Sequence, residues 1–285
     1  MCPLWGLGYV QPSGGPLRGL RGGRFTCAPP GGMVGRCGTG RPSRPAQHSG
    51  SPRLDGATMT TDYPQMVDVR FTLSGRAGDG APLAIPVDHG YALYGAIARV
   101  LPWVHGSRSV GIHPILGQLA GGRRLHVTPR SVLALRVPAH LVPKVLPLAG
   151  QALDVDGCRL QVGVPMVYAL RPAPRLRSRL VTIKGMLTPE SFLDAARAQL
   201  AALGIQGQPV LVPRRTDRPL EPDGRGGRDP WVRRTLRVRD RTVVGYALDV
   251  VDLAPDDAIR LQAIGLGGRR RFGCGIFLPL RQQPA

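Results

Sequence analysis

Six histidines occur, His48, His89, His105, His113, His126 and His140, and all but the first lie between positions 89 and 140. Histidine, with an ordinary pKa of about 6.5, can take and give a proton near neutral pH. His89 follows Asp88 where an apolar period begins, and reads either as a proton-transfer group or as part of a helix start. His105 and His113 flank the loop 106–111 and are the next candidates for acid–base work. Tyr91 stands one helical turn before Tyr94 and reads as a group that orients a phosphate or hydroxyl, or as a tyrosine covering a core edge. His126 alternates with Leu125 and Val127 in strand material, His140 suits a capping turn, and His48 lies in a segment without pattern. No acid or third ligand stands at matching spacing from His105 and His113, and no CxxC pair exists, so neither a metal site nor a cofactor is expected.

The second chemical signal is GLGGRRRFGCG, residues 265–275, with glycines at Gly265, Gly267, Gly268, Gly273 and Gly275 around Arg269, Arg270 and Arg271. Glycines permit positive φ and close backbone approach. Successive free N–H groups in such a loop make an anion-binding concavity, and the arginines add charge-assisted bonds to phosphate; alternatively the glycines merely permit a tight connection. The loop leaves a helix and enters a strand, so it is not a dinucleotide fingerprint, and no GK[ST] occurs. Arg175, Arg177 and Arg179 alternate and so share one strand face; Arg233 and Arg237 line a hairpin. Lys+Arg number 38 against 18 Asp+Glu, a net charge of +20, and only Lys144 and Lys184 are lysines. That charge points to a polyanion, of which nucleic acid is the commonest. Few aromatics speak against extensive base stacking and for recognition of an A-form stem by shape and phosphate. Five scattered cysteines make no disulfide framework. No run approaches the ~18 apolar residues of a membrane span and no signal peptide is present, so a cytoplasmic protein is expected.

Positioning these groups requires two similar runs of elements. In the first, Met66–Ser74 alternates as a strand, Asp88 caps a helix over His89–Val100 that Pro102 ends, and Val110–Leu116 and Arg124–Val137 are strands turned by Gly121-Gly122. A proline-interrupted helix over Ala139–Leu148 and strand from Leu153 to Leu170 follow. The second runs through a strand at Arg177–Lys184, a helix over Ser191–Leu203 capped by Thr188 with Pro189 behind it, and a strand at Pro209–Pro213. An Arg-rich loop to Pro230, a hairpin of Trp231–Arg239 and Arg241–Leu253, a helix at Pro255–Ile264 and a strand at Arg271–Leu280 complete it. Each run is β-α-β-β-α-β, so the expected fold is α+β: two tandem ferredoxin-like units, residues 59–170 and 171–285. Residues 1–58 carry Gly, Pro, Arg and one acid, Asp55, with no apolar period. They read as a disordered basic arm, a targeting extension, or upstream sequence translated from a start called too early; Met59, directly before the patterned region, favours the last.

Residues 62–281 resemble a known family. Arg260–Pro279 (RLQAIGLGGRRRFGCGIFLP) and Pro86–His105 (PVDHGYALYGAIARVLPWVH) carry the resemblance, with support from Gly111–Gly117 (GIHPILG) and Leu148–Gly157 (LAGQALDVDG). They are similar to the CRISPR repeat-processing endoribonucleases of the RAMP superfamily, most closely the myxan-type branch. The resemblance implies two ferredoxin-like folds and metal-free cleavage of the repeat in precursor CRISPR RNA. The 2′-hydroxyl attacks, leaving a 2′,3′-cyclic phosphate and a 5′-hydroxyl. A histidine in or near the first helix is usually the catalytic one there, which makes His89 the first candidate. The implied partners are repeat RNA and other subunits of a CRISPR effector complex; the alternative is a non-catalytic guide-RNA-binding subunit. One departure is visible: Pro279-Leu280-Arg281 stands where a Pro-His-Lys-like ending is expected, so Arg281 keeps only the charge.

Overall fold

The structure, a computed structural model, describes residues 63–75, 82–214 and 230–280. The leader, residues 1–58, and Arg281 lie outside them.

Alternation of apolar and polar residues makes β1 (Met66–Ser74), whose Val69 and Phe71 are fully buried. It is followed by β2 (Ala84–Pro86), α1 (Gly90–Val100), β3 (Gly111–Ile112), β4 (Gln118–Leu119), β5 (Arg124–His126) and β6 (Val132–Pro138). A proline-broken helical run over 139–148 then leads to β7 (Ala152–Val155) and β8 (Cys158–Ala169). The first sheet has the order β3-β6-β1-β8-β7 and is antiparallel throughout. Its first four strands have the ferredoxin-like order. The helices and Phe71, Leu93, Ile97 and Leu135 form one core.

The second set comprises β9 (Leu176–Val181), α3 (Pro189–Ala202), β10 (Gln208–Leu211), β11 (Arg233–Val238), β12 (Arg241–Val251), α4 (Pro255–Ile264) and β13 (Phe277–Pro279), with α2 being the short turn Val142–Val145 in the earlier broken run. Their sheet runs β10-β12-β9-β13, with β11 also pairing β12. β10 pairs the end of β12 and β11 its beginning, so together they fill one strand position. Phe192, Leu200, Leu248, Leu261 and Phe277 centre its own core. The order is again ferredoxin-like, as expected.

Several local expectations need correction. Arg124–Val137 is not one strand: Ser131 turns the chain by bonding Leu116 O, and β5 leaves the main sheet to join β2 and β4. Asp156 and Gly157, both at positive φ, fold 152–169 into a β7–β8 hairpin. Asp88 does not cap α1; its carboxylate accepts from the Arg237 backbone N–H at 2.7 Å. His140 makes no cap bond to its helical turn. Arg271 begins no strand, because Arg270–Phe272 is a 3-10 turn and β13 starts only at Phe277.

The two sheets are joined by one buried side chain. Arg136 of β6 is fully buried. Its Nε and Nη2 donate to both carboxylate oxygens of Asp68 on β1, at 2.7 and 3.0 Å. Its Nη1 crosses to the carbonyls of Gln262 in α4 (3.0 Å) and Phe277 in β13 (2.9 Å). One guanidinium thus satisfies acceptors from both halves, as its planar fork allows.

The glycine loop is a second fixed connection. Gly275 has φ +64°, and a Cβ there would run into the Leu266 carbonyl oxygen. Gly275→Ala is therefore expected to cost of order 1–3 kcal/mol in urea unfolding; an unchanged midpoint would show that the loop can shift without strain.

Candidate functional site

The glycine N–H groups of the loop are not free: Gly265 donates to Leu261 O, Gly267 to Gln199 Oε1, Gly268 to Thr182 O, Gly273 to Arg270 O and Gly275 to Leu180 O. Arg270 folds back to donate to the carbonyls of Ala263 and Ile264 at the end of α4, and burial pulls its pKa down to about 10. Arg269 is exposed at φ +65°. What the loop does is carry Phe272 and Arg271 onto α1. Phe272 packs edge-on against Tyr91 and Tyr94, with ring centroids 5.6 and 5.1 Å apart. The Arg271 guanidinium lies 5.4 Å from the centre of the Tyr94 ring.

Against this aromatic layer stands His105. It follows the turn Pro102–Val104 that ends the α1 region, and it is exposed. Its Nδ1 is 2.9 Å from the Tyr94 hydroxyl. A hydroxyl both donates and accepts, so this contact survives whichever ring nitrogen carries the proton. His105, Tyr91, Tyr94 and Arg99 line an open cavity of about 800 Å³. Tyr91 Oη accepts from Arg239 Nε at 3.2 Å, which brings the β11–β12 hairpin to the rim.

His89 is held differently. It is buried, its Nδ1–H donates to Pro86 O at 2.8 Å, and its Nε2 accepts from the Ile115 N–H at 2.9 Å. A carbonyl can only accept and an amide N–H only donate, so both nitrogens and the tautomer are committed. Burial also pushes the His89 pKa below the ordinary histidine value. His113 is elsewhere: buried, with Nε2 3.3 Å from Asp68 Oδ1 beside Arg136. Burial lowers its pKa too, against the pull of Asp68. Burial opposes ionisation of Asp68, yet the bonds from His113 and Arg136 hold its carboxyl well below the usual range.

The arginines divide. Arg175 and Arg177 both grip buried Asp249: the Arg175 Nε is 2.9 Å from Oδ2 and the Arg177 Nη2 is 2.8 Å from the same oxygen. They share their charge with one acid. Arg179 and Arg233 line a smaller cavity with His89, while Arg237 is exposed on β11. The sequence reading missed Tyr94 as the partner of His105, although an i, i+3 tyrosine pair on α1 was its visible signal. It also missed Asp68–Arg136, which only the strand register brings opposite each other.

A family model described as Cas6 Crispr matches residues 67–282. The CRISPR-associated endonuclease Cas6 of Myxococcus xanthus (strain DK1622) is 36% identical over 195 residues, covering 68% of this chain and 76% of its own. The chain belongs to the Cas6 family. Two solved structures share the fold: one described as CRISPR associated protein Cas6, with a TM-score of 0.52 at 11% identity over 76% of this chain and 99% of its own. The other, a Cas6-related protein from Pyrococcus furiosus, has a TM-score of 0.51 at 10% identity over 77% and 100%. The segments matched in Cas6 include α1, the turn carrying His105 and the glycine loop, so the aromatic layer and both cavities lie within the family region. No helix among the described residues is long and apolar enough to cross a membrane.

Proposed function

We propose that this protein is an endoribonuclease that processes precursor CRISPR RNA, cutting the repeat by attack of the upstream 2′-hydroxyl on the scissile phosphate. The observation that carries the reading is His105: exposed, aimed by the Tyr94 hydroxyl, and lining an open cavity, with the Arg271 guanidinium over the Tyr94 ring. Its Nε2 has no partner among the described residues. It takes the 2′ proton or gives one to the leaving 5′ oxygen, and the Tyr94 hydroxyl adjusts as donor or acceptor to either state. Arg271 stabilises the charge that develops on the phosphorane. Tyr91 and Arg239 hold the rim, and Arg269, Arg233 and Arg237 add phosphate contacts. His89 serves the site from behind, fixing the start of α1 against the Ile115 segment. Membership of the Cas6 family supports repeat RNA as the substrate and an effector complex as the destination of the product. We place the boundary of the two units near residue 170.

Incubating a labelled repeat RNA with the protein in EDTA tests this. Cleavage is expected to persist, to leave a cyclic phosphate, and to stop when the nucleotide before the cut is 2′-deoxy. Cutting of the deoxy substrate would sink the 2′-hydroxyl mechanism, and binding without any cutting would favour a guide-holding subunit.

A further inference from the structure

The smaller cavity, of about 240 Å³, is walled by both halves. The first contributes Val87, Asp88, His89, Gly90, Pro114 and Arg123, and the second contributes Arg179, Arg233, Arg234 and Leu236, closed by Phe272 and Gly273 of the loop. Four arginines and one acid, Asp88, are thus among the lining residues, and the Asp88 carboxylate is engaged by the Arg237 backbone N–H. Arg179 makes no hydrogen bond or ion pair within the described residues. The Nε of Arg234 is buried and has no hydrogen-bond partner. β9 and β11 flank β12, so these two arginines come from strands on either side of it. Burial and the charge of Arg234 lower the pKa of Arg179, with Asp88 pulling the other way; burial lowers that of Arg234, with Arg214 adding to it. Half-buried, like-charged and unpaired groups are costly unless something neutralises them.

The first turn of α1 opens on the same space. Gly90 lines it, α1 has no side-chain cap and no acid in its first turn, and a helix N-terminus attracts anions. Arg179, Arg234, Pro114 and Gly273 also line a larger groove of about 960 Å³ between the sheets, so the cavity opens where an extended strand has room to lie. Across Phe272, the cavity's neighbour is the Tyr91–Tyr94–His105 layer.

We propose that this cavity is a phosphate seat, in which Arg179 and Arg234, helped by Arg123 and the first turn of α1, hold one backbone phosphate of bound RNA beside the nucleotides that reach His105. It rests on the RNA-cleaving reading for the source of the phosphate and on the geometry alone for the seat. The held group is not the one cleaved: Phe272 stands between the seat and His105. Its effect is to fix the register in which the strand enters the cleavage cavity.

Two measurements on the full chain test the seat. In the first, inorganic phosphate is titrated and thermal unfolding is followed against chloride at equal ionic strength. Saturable stabilisation by phosphate is expected, lost in Arg179→Gln and Arg234→Gln and weakened in Arg123→Gln, whose exposed side chain keeps the test readable if a buried change unfolds the protein. Equal response to the two anions, or an equal response of parent and Arg123→Gln when the other variants do not fold, overturns the seat. In the second, repeat RNAs carrying a single neutral methylphosphonate at successive positions are bound to parent and Arg234→Gln. One position near the cut should weaken parent binding by about 10- to 100-fold, the worth of a charge-assisted contact. The same substitution should cost Arg234→Gln nothing further, and its salt slope should drop by about one unit. Additive losses at every position, with the first measurement positive, would assign the cavity to a free anion and overturn the RNA phosphate. Absence of any repeat-RNA binding by the parent would sink the RNA reading, and the seat would then hold free phosphate.

Discussion

His105→Ala is expected to bind repeat RNA within a few fold of the parent and to cut it roughly 10²–10⁴-fold more slowly, the span one placed proton-transfer group supplies. Binding draws on many arginines, whereas proton transfer draws on one ring nitrogen. Tyr94→Phe should fall between, because it keeps the ring stack on Phe272 and removes only the hydroxyl that aims Nδ1. His89→Ala should behave as a folding variant. It strands the Pro86 carbonyl and the Ile115 N–H, at about 1–3 kcal/mol for each buried group left unsatisfied. Its cleavage per folded molecule should stay near that of the parent once stability is restored by cooling. Single-turnover rates alongside urea midpoints for the three variants separate these outcomes. If His89→Ala folds like the parent and loses cutting while His105→Ala cuts normally, the catalytic role returns to the start of α1.

The contrast between the two histidines shows where the sequence stops. The Met66–Ser74 strand, the Thr188 cap and the Pro255–Ile264 helix are legible because each depends on neighbours a few residues away. So is the doubled β-α-β-β-α-β order, since hydrophobic period and turn residues are local signals. His89 and His105 are indistinguishable in that way. Their difference is set by Ile115, whose N–H reaches His89 from a later loop, and by Tyr94, one of two tyrosines on the same helix. The acid that Arg175 and Arg177 share was illegible for the same reason: Asp249 lies 72 residues beyond Arg177 and reaches it only because β12 pairs β9. The glycine N–H groups of the loop find acceptors in α4, in α3 and in and just after β9, which no reading of eleven residues supplies.

Arg136→Met is expected to destabilise the fold by about 3–5 kcal/mol, because it leaves ionised Asp68 buried beside carbonyls of Gln262 and Phe277 that lose their donor. The loss should exceed that of any surface arginine, and the double variant Asp68→Leu, Arg136→Met should recover part of it, since an apolar pair removes the stranded charge. The same cluster sets an acid response. The folded pKa of Asp68 is depressed, so its contribution is fully present above the unfolded carboxylate value near pH 3.9 and is lost as pH falls below it. His89 and His113 are also depressed, so they are kept neutral in the fold. Their contribution is intact above about pH 6.5 and declines as the pH drops below that, where the unfolded chain takes up protons first. Urea midpoints should therefore begin to fall near pH 6.5 and fall again below pH 4, with the second stage absent from the double variant. A flat profile from pH 7 to 5 would mean that the two buried histidines protonate without leaving their partners. A loss below about 1 kcal/mol in Arg136→Met would mean that the sheets are held by their other contacts. His105 and the cavity it lines belong to the first half, whereas Arg271 reaches the Tyr94 ring from the loop that leads into β13 of the second. By joining the two halves, the Arg136 guanidinium keeps Arg271 against the Tyr94–His105 pair.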